Sequence, residues 1–268
     1  MSVVKLDMTT VFIPTSGKSQ KSLISPSENV SIVALNAQSI SRAEALALRL
    51  GLKVSCDPNA VSGLVLVVSQ DRLGLGDTAQ PRARTLTIET AKRRYPTAGK
   101  DLLARALGRQ CESVIDATAG FGADTFDFVR RGKTVFAIER VEVAAIMLEE
   151  AASAFRSGGE GGALEVVCGD AIERIGALAT VDVIFLDPMF PDRSRHTAQP
   201  RKAQQLLRRL AGEDPDAGTL LQVARMHARR RVIVKRPRHA PPLGGTPDIV
   251  HNGKAVRYDV YLADGGVS

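Results

Sequence analysis

Hydrophobic positions along this chain follow two different patterns, one on each side of about residue 100. On the N-terminal side the apolar runs are short and unevenly spaced. Residues 14–29, PTSGKSQKSLISPSEN, are rich in Ser, Pro and Lys and read as a loop or arm. NVSIVALN (29–36) predicts a strand, and SRAEALALRLG (41–51) predicts a helix with its stop glycine. VSGLVLVVS (61–69) and TLTIE (85–89) predict two more strands, and DRLGLGDTAQPR between them reads as a turn-rich connection. Together these elements predict a small α+β domain over residues 1–90.

The remaining residues, 91–268, predict a second domain of regular strand–helix alternation. DLLARALG (101–108) reads as a helix, SVIDAT (113–118) as a strand and GADTFDFVRRG (122–132) as a helix. TVFAIE (134–139) is a strand and VEVAAIMLEEAASAFR (141–156) a helix. ALEVVCGD (163–170) and VDVIFLD (181–187) are strands with a short helix between them. A helix through TLLQVARMHARR leads to the strand RVIVKR (231–236), and AVRYDVYLA (255–263) is a closing strand. Repeated β-α units of this spacing predict an α/β fold, a parallel sheet with helices on both faces. Ligands of such sheets sit beyond the carboxyl ends of the strands, where the strand order reverses.

Composition narrows the setting. The chain has 268 residues, 44% of them hydrophobic, enough for one large domain or a large and a small one. Its three cysteines, Cys56, Cys111 and Cys168, are far apart and odd in number. They suggest neither a disulfide framework nor a metal site, and they suggest a reducing compartment. The longest apolar run, VSGLVLVVS, falls short of the roughly 20 residues of a membrane span. MSVVKLDMTT lacks the basic start and apolar stretch of a secretion signal. The expectation is a cytoplasmic protein with no membrane partner.

The carboxyl ends of the predicted strands carry the candidate chemistry. The first ends in DATAGFGAD, with Asp116, Gly120, Gly122, Ala123 and Asp124 at a strand-to-helix turn. The second ends in Glu139-Arg140, the third in Gly169-Asp170, and the fourth in Asp187-Pro188-Met189-Phe190. A dinucleotide site would want a third glycine near position 125, where Thr125 stands, so a nicotinamide-dependent oxidoreductase fits poorly. An acid at the end of strand two can accept hydrogen bonds from both hydroxyls of a ribose. A helix N-cap is the plain alternative for any one acid. Three acids at three successive strand ends are harder to read as caps.

Asp-Pro-Met-Phe is similar to the [DN]-P-P-[YF] signature of methyltransferases that act on exocyclic amines of nucleobases. An aryl amine is a poor nucleophile, because its lone pair is delocalised into the ring. The Asp187 carboxylate and the Pro188 carbonyl could each accept one amine hydrogen and aim that lone pair. Both would stabilise positive charge developing on the nitrogen. Phe190 would give an extruded base a face to stack on. On these residues the catalytic candidates are Asp187, Pro188 and Phe190.

Longer stretches resemble one family. DATAGFGAD (116–124), IER (138–140), FLDPMFP (185–191), RVIVKRPRHAPPL (231–243) and RYDVYLA (257–263) are similar to the bacterial 16S ribosomal RNA guanine-N2 methyltransferases of the RsmJ family. ETAKRRYPTAGKDLLARALG matches more weakly, and residues 1–80 only loosely. The resemblance implies a Rossmann-like class I methyltransferase sheet, mostly parallel with its last strand antiparallel. It implies S-adenosyl-L-methionine as cofactor, no metal, and 16S rRNA or the small ribosomal subunit as partner, with guanine 1516 as the family's target. Position by position it puts cofactor contacts on Ala123, Asp124, Glu139, Arg140, Gly169, Asp170 and Asp187; the first strand-to-helix turn adds Asp116, Gly120 and Gly122 as cofactor-binding candidates. The family usually has Arg where this chain has Ala123, and often Ser where it has Gly169.

Charge agrees with a polyanionic partner. Residues 188–239 hold 13 Lys/Arg against 4 Asp/Glu, while the whole chain carries only +7. The positive charge is concentrated downstream of the Asp-Pro turn. Arg93, Arg94, Arg193, Arg195, Lys235, Arg236 and Arg238 are the candidate RNA contacts; a solvated helix face accounts for Arg208 and Arg209. Two other readings stay open: N6 methylation of adenine in RNA or DNA, and a non-catalytic RNA-binding protein on a methyltransferase scaffold.

Overall fold

The computed structural model describes residues 30–80, 84–89, 101–159, 161–189, 202–212 and 214–264. The predicted arm at 14–29 lies outside them. Two sheets form. The smaller is built from β1 (Val30–Ala34), β2 (Val54–Ser55), β3 (Leu64–Val68) and β4 (Leu73–Asp77), in the order β2-β1-β3-β4. β2 and β3 run parallel to β1, and β4 is antiparallel to β3. Helix α1 (Ile40–Leu50) covers it, burying Ala43, Ala47 and Leu50 at helical spacing.

Two expectations differ here. The turn-rich connection contains strand β4, and TLTIE contributes a single bridge, Leu86 with Leu75, in place of a strand. Glycine explains both. In LGLGD the glycines at 74 and 76 interrupt the alternation that marks a strand. Gly74 is small because residue 85 crosses it: a Cβ there would lie 2.5 Å from Thr85 Cγ2.

The larger sheet carries the site. Helix α2 (Leu102–Leu107) precedes β5 (Ser113–Asp116), α3 (Thr125–Arg130), β6 (Thr134–Glu139), α4 (Glu142–Ser157) and β7 (Leu164–Cys168). Then come α5 (Ala171–Arg174), β8 (Val183–Leu186), α6 (Lys202–Ala211), α7 (Ala217–His227), β9 (Arg231–Pro237), β10 (Ile249–Asn252) and β11 (Val256–Leu262). The order is β10-β11-β9-β8-β5-β6-β7. β5 to β9 are mutually parallel, and β11 runs against β9. β10, a short exposed strand absent from the sequence reading, pairs antiparallel with β11. Central strands are covered on both faces and read as continuous apolar runs; all of Val183–Leu186 is buried. The chain leaves β5 for β6 on one side and returns to β8 on the other. The reversal, and the crevice it creates, therefore lies at the carboxyl ends of β5 and β8.

The small sheet packs onto this domain. Val30, Ile32, Leu64, Leu66 and Leu75 share one core with Val143, Ala144 and Met147 of α4 and Leu206 and Leu210 of α6. Glu150 of α4 accepts the Leu73 backbone N–H at 2.6 Å and pairs with Arg42; Arg209 of α6 meets Asp77 at 2.5 Å. The basic residues at 208 and 209 are thus on a helix, and Arg209 joins the two sheets.

The motif RYDVYLA is a brace. Strand alternation puts Arg257, Asp259 and Tyr261 on one face of β11. Asp259 is fully buried and pairs with the Arg257 guanidinium at 2.7 and 2.9 Å. Arg257 also donates to the Arg238 and Ala240 carbonyls, and the Tyr261 hydroxyl to that of Leu243. These bonds hold the Pro-rich turn that follows β9. The two stretches that most specifically carry the family resemblance are one structural unit.

Candidate active site

A cleft of about 560 Å³, including its open mouth, lies at the carboxyl ends of β5 to β8. Ala117, Thr118, Glu139, Arg140, Asp170 and Asp187 line one side, and Met189 of the turn after β8, Leu207 of α6, Asp214 of the loop before α7 and Leu220 of α7 close it. Each strand-end acid has a definable task.

Asp116 ends β5 and is buried. Its Oδ2 accepts the Thr125 hydroxyl at 2.6 Å, so the residue that replaced a third glycine closes this turn. Burial pushes the Asp116 carboxyl up to about 7, and the nearby carboxylates of Asp124 and Asp187 add to it. Gly120 and Gly122 follow, both with positive φ, 54° and 77°. Helix α3 begins at Thr125 and not at 122, because this turn occupies Gly122–Asp124.

Glu139 ends β6 and is buried. Its Oε2 accepts the Gly120 N–H at 2.6 Å and its Oε1 the Val141 N–H at 2.7 Å. It fixes the glycine turn and the start of α4 while lining the cleft. Burial raises its pKa, against those two backbone donors. Asp170 caps α5 through Ile172 N–H at 2.8 Å and also borders the cleft. Gly169 beside it has φ 146° and donates its N–H to the Glu139 carbonyl. Arg140 reaches Asp214 at 2.5 Å and Asp216 at 3.8 Å, joining the end of β6 to the start of α7.

The Asp-Pro turn is held from three sides. Asp187 N–H donates to Thr118 Oγ1 at 2.7 Å. Met189 N–H donates to Asp214 Oδ2 at 2.6 Å, and Asp214 N–H returns a bond to the Met189 carbonyl at 3.3 Å. The Asp187 Oδ2 accepts from Lys235 Nζ at 2.7 Å, and the same ammonium meets Asp124 Oδ2 at 2.6 Å. Burial pushes the Asp187 carboxyl up, opposed by Lys235; the two carboxylates push the Lys235 ammonium up, so it stays charged.

Sequence reasoning missed Thr118 and Asp214. Thr118 was hidden inside a predicted strand end, and Asp214, in GEDPD, looks like an ordinary helix-start acid. Phe190, Arg93, Arg94, Arg193 and Arg195 lie outside the described residues. Of the remaining RNA candidates, Arg238 is exposed. Lys235 is turned into the site, and Arg236 is 5% exposed, donating to the Pro241 carbonyl, so neither presents its charge to a phosphate in this structure. Arg229 and Arg230, in the same basic segment, stand at the amino end of β9. There they hold Asp182, far from the carboxyl ends.

Among the described residues no group of His, Cys, Asp and Glu could hold a metal ion, and no helix is long and apolar enough to cross a membrane.

A reversal crevice tipped by acids, beside a pinned Asp-Pro turn, defines the protein as a class I S-adenosylmethionine-dependent methyltransferase. Comparison agrees. Residues 45–263 match the family described as "Putative SAM-dependent methyltransferase". The chain is 36% identical over 236 residues to ribosomal RNA small subunit methyltransferase J of Chromohalobacter salexigens, covering 81% of this chain and 92% of that one. It is 35% identical over 254 residues to the protein of the same name from Nitrosococcus oceani, covering 88% and 99%. A crystal structure of a SAM-dependent methyltransferase from Neisseria gonorrhoeae superposes with a TM-score of 0.70 at 27% identity, covering 88% of this chain and 98% of that one. The chain belongs to the ribosomal RNA small subunit methyltransferase J family.

Proposed function

We propose that this protein transfers a methyl group from S-adenosylmethionine to the exocyclic N2 of a guanine in small-subunit ribosomal RNA. The observation that carries the reading is the Asp187-Pro188 turn, fixed by Thr118 and Asp214 at the reversal of strand order. The names of the relatives supply the rRNA small subunit as substrate class. The family resemblance supplies guanine N2, and guanine 1516 as the particular target.

The cleft suits the cofactor. Acids that can accept from ribose hydroxyls and an adenine amine, Glu139 and Asp170, stand beside the apolar Ile138, Ala171 and Ile172. Each Glu139 oxygen keeps a second lone pair after its backbone bond. Arg140 and Gly169 line the same cleft, whereas Asp116, Gly120, Gly122, Ala123 and Asp124 stand next to it and not on its wall, so their part in cofactor binding rests on the turn's sequence and the family resemblance. The cofactor supplies an electrophilic methyl on a sulfonium.

Asp187 and the Pro188 carbonyl accept the two amine hydrogens, so the nitrogen lone pair points along the transfer direction. As the nitrogen gains positive charge, the Asp187 carboxylate stabilises it without any reorganisation. Phe190 stacks the extruded base. Arg93, Arg94, Arg193, Arg195 and Arg238 hold the phosphate backbone. The small sheet of β1 to β4 serves as a unit docked on α4 and α6 of the catalytic sheet.

The test is transfer of labelled methyl to 16S rRNA and to small subunits lacking the modification, followed by digestion to nucleosides and mass spectrometry. N2-methylguanosine is the expected product. N6-methyladenosine would overturn the choice of base, and cofactor binding with no product on either substrate would overturn the choice of RNA.

A further inference from the structure

Lys235 stands out because its charge has no outward use. Its ammonium is 2.6 Å from Asp124 Oδ2 and 2.7 Å from Asp187 Oδ2, and its side chain is only 22% exposed. Register explains how it gets there. Lys235 lies opposite Tyr258 of β11, near the carboxyl end of β9, the strand next to β8. Asp187 follows directly on β8, and Asp124 ends the glycine turn after β5. One side chain thus spans three neighbouring strand ends.

We propose that Lys235 is a positioning residue for methyl transfer: it binds Asp187 Oδ2, fixes the plane of that carboxylate, and holds it as an anion whose Oδ1 is left for the substrate amine. The proposal rests on the role given to Asp187 above. Among the described residues nothing bonds Oδ1. A carboxylate free to rotate would spend most of its time misaimed, and small misplacements at a reacting centre lower rates steeply.

The electrostatic half follows from what surrounds Asp187. Asp124 faces it from the turn before α3, Asp116 from β5, Asp214 from the start of α7 and the Tyr258 hydroxyl from β11. Among the described residues Lys235, on β9, is the cation in direct contact; Arg140 acts one step away, on Asp214. Remove the ammonium, and burial with three carboxylates favours a proton on Asp187. A protonated Asp187 has lost an acceptor.

The experiment is the pH profile of kcat for wild type, Lys235→Met and Lys235→Arg, with Asp187→Asn as reference. Without its ion pair the acid limb of Lys235→Met should move up by about 1–3 pH units, with activity returning at high pH. Lys235→Arg should restore most of the wild-type profile. A folded Lys235→Met enzyme with an unshifted limb would overturn the proposal, and so would equal loss at every pH. If Asp187→Asn itself turned over like wild type, the failure would lie in the catalytic reading, not in Lys235.

Discussion

Glu139, at the end of β6, accepts the backbone N–H of Gly120 across the mouth of the sheet at 2.6 Å. The acid assigned to a cofactor ribose is therefore also the clamp that shapes the glycine turn. Glu139→Gln keeps one carbonyl acceptor but turns an NH2 toward one of two buried donors. Leaving such a donor unsatisfied costs about 1–3 kcal/mol. Urea unfolding should register that loss, and calorimetry should register weaker cofactor binding. Full loss of stability with unchanged affinity would reduce Glu139 to a brace.

Asp187→Asn should leave the fold near wild type while kcat falls by at least about 100-fold, far more than cofactor affinity falls. An amide can still accept through its oxygen, but it carries no charge for the developing cation. Single-turnover methyl transfer measures this directly. Near-normal turnover would remove Asp187 from the chemistry.

Asp214 holds the backbone of the catalytic turn at Met189, accepting its N–H through Oδ2, and is itself held by Arg140. Asp214→Ala should free the turn. A drop in kcat of about 10–100-fold is expected from misplacement of Asp187. Cofactor affinity should fall much less, which distinguishes loss of aim from collapse of the cleft. Affinity falling as far as kcat would mean that Asp214 supports the whole wall.

The strand-end acids were legible because β-α alternation fixes where parallel strands finish, and apolar runs such as VIFL mark the finish to within a residue. What the acids hold was not legible. Asp170 does the plain job of capping α5, as any acid at a helix start can, and Glu139 anchors two backbone N–H groups. Charge counting went furthest astray with KRPR. Alternation along β9 sends Lys235 to the site and Arg236 to the opposite face, beneath the turn braced by Arg257. A count of cations in sequence does not distinguish that from an RNA-facing stripe. In the small sheet, Gly74 and Gly76 hid a strand that tertiary packing nevertheless completes.

Asp116 provides a pH signature of folding. Its folded pKa, about 7, lies above the ordinary carboxylate value of 3.8, so the folded state binds a proton that the unfolded state has already released. The protonated form's contribution is present in full below about pH 4 and is lost as pH rises toward 7. Asp116→Asn removes this titration. Relative to wild type, the Asn variant should gain about 2–4 kcal/mol of stability between pH 5 and pH 8, from the size of the shift. Denaturant titrations at the two pH values read the difference. A constant gap would show that Asp116 is ionised throughout.

Gly120 carries two constraints that can be separated. Its φ of 54° strains any residue with a side chain, and a Cβ there would lie 2.7 Å from Leu207 Cδ2 on α6. The second contact involves the tip of a flexible side chain, so trimming it should relieve the crowding, whereas the backbone strain stays. Gly120→Ala should therefore destabilise the wild-type background more than it destabilises Leu207→Ala. The difference expected of residues in contact is about 0.5–3 kcal/mol. The residual loss in the trimmed background should be about 1–2 kcal/mol, the strain of a left-handed residue. Because Leu207 also lines the cleft, cofactor affinity should follow the same cycle, falling in Gly120→Ala and recovering in part in the double variant. An identical loss in both backgrounds would mean that α6 yields freely, and that the glycine is required by the backbone alone.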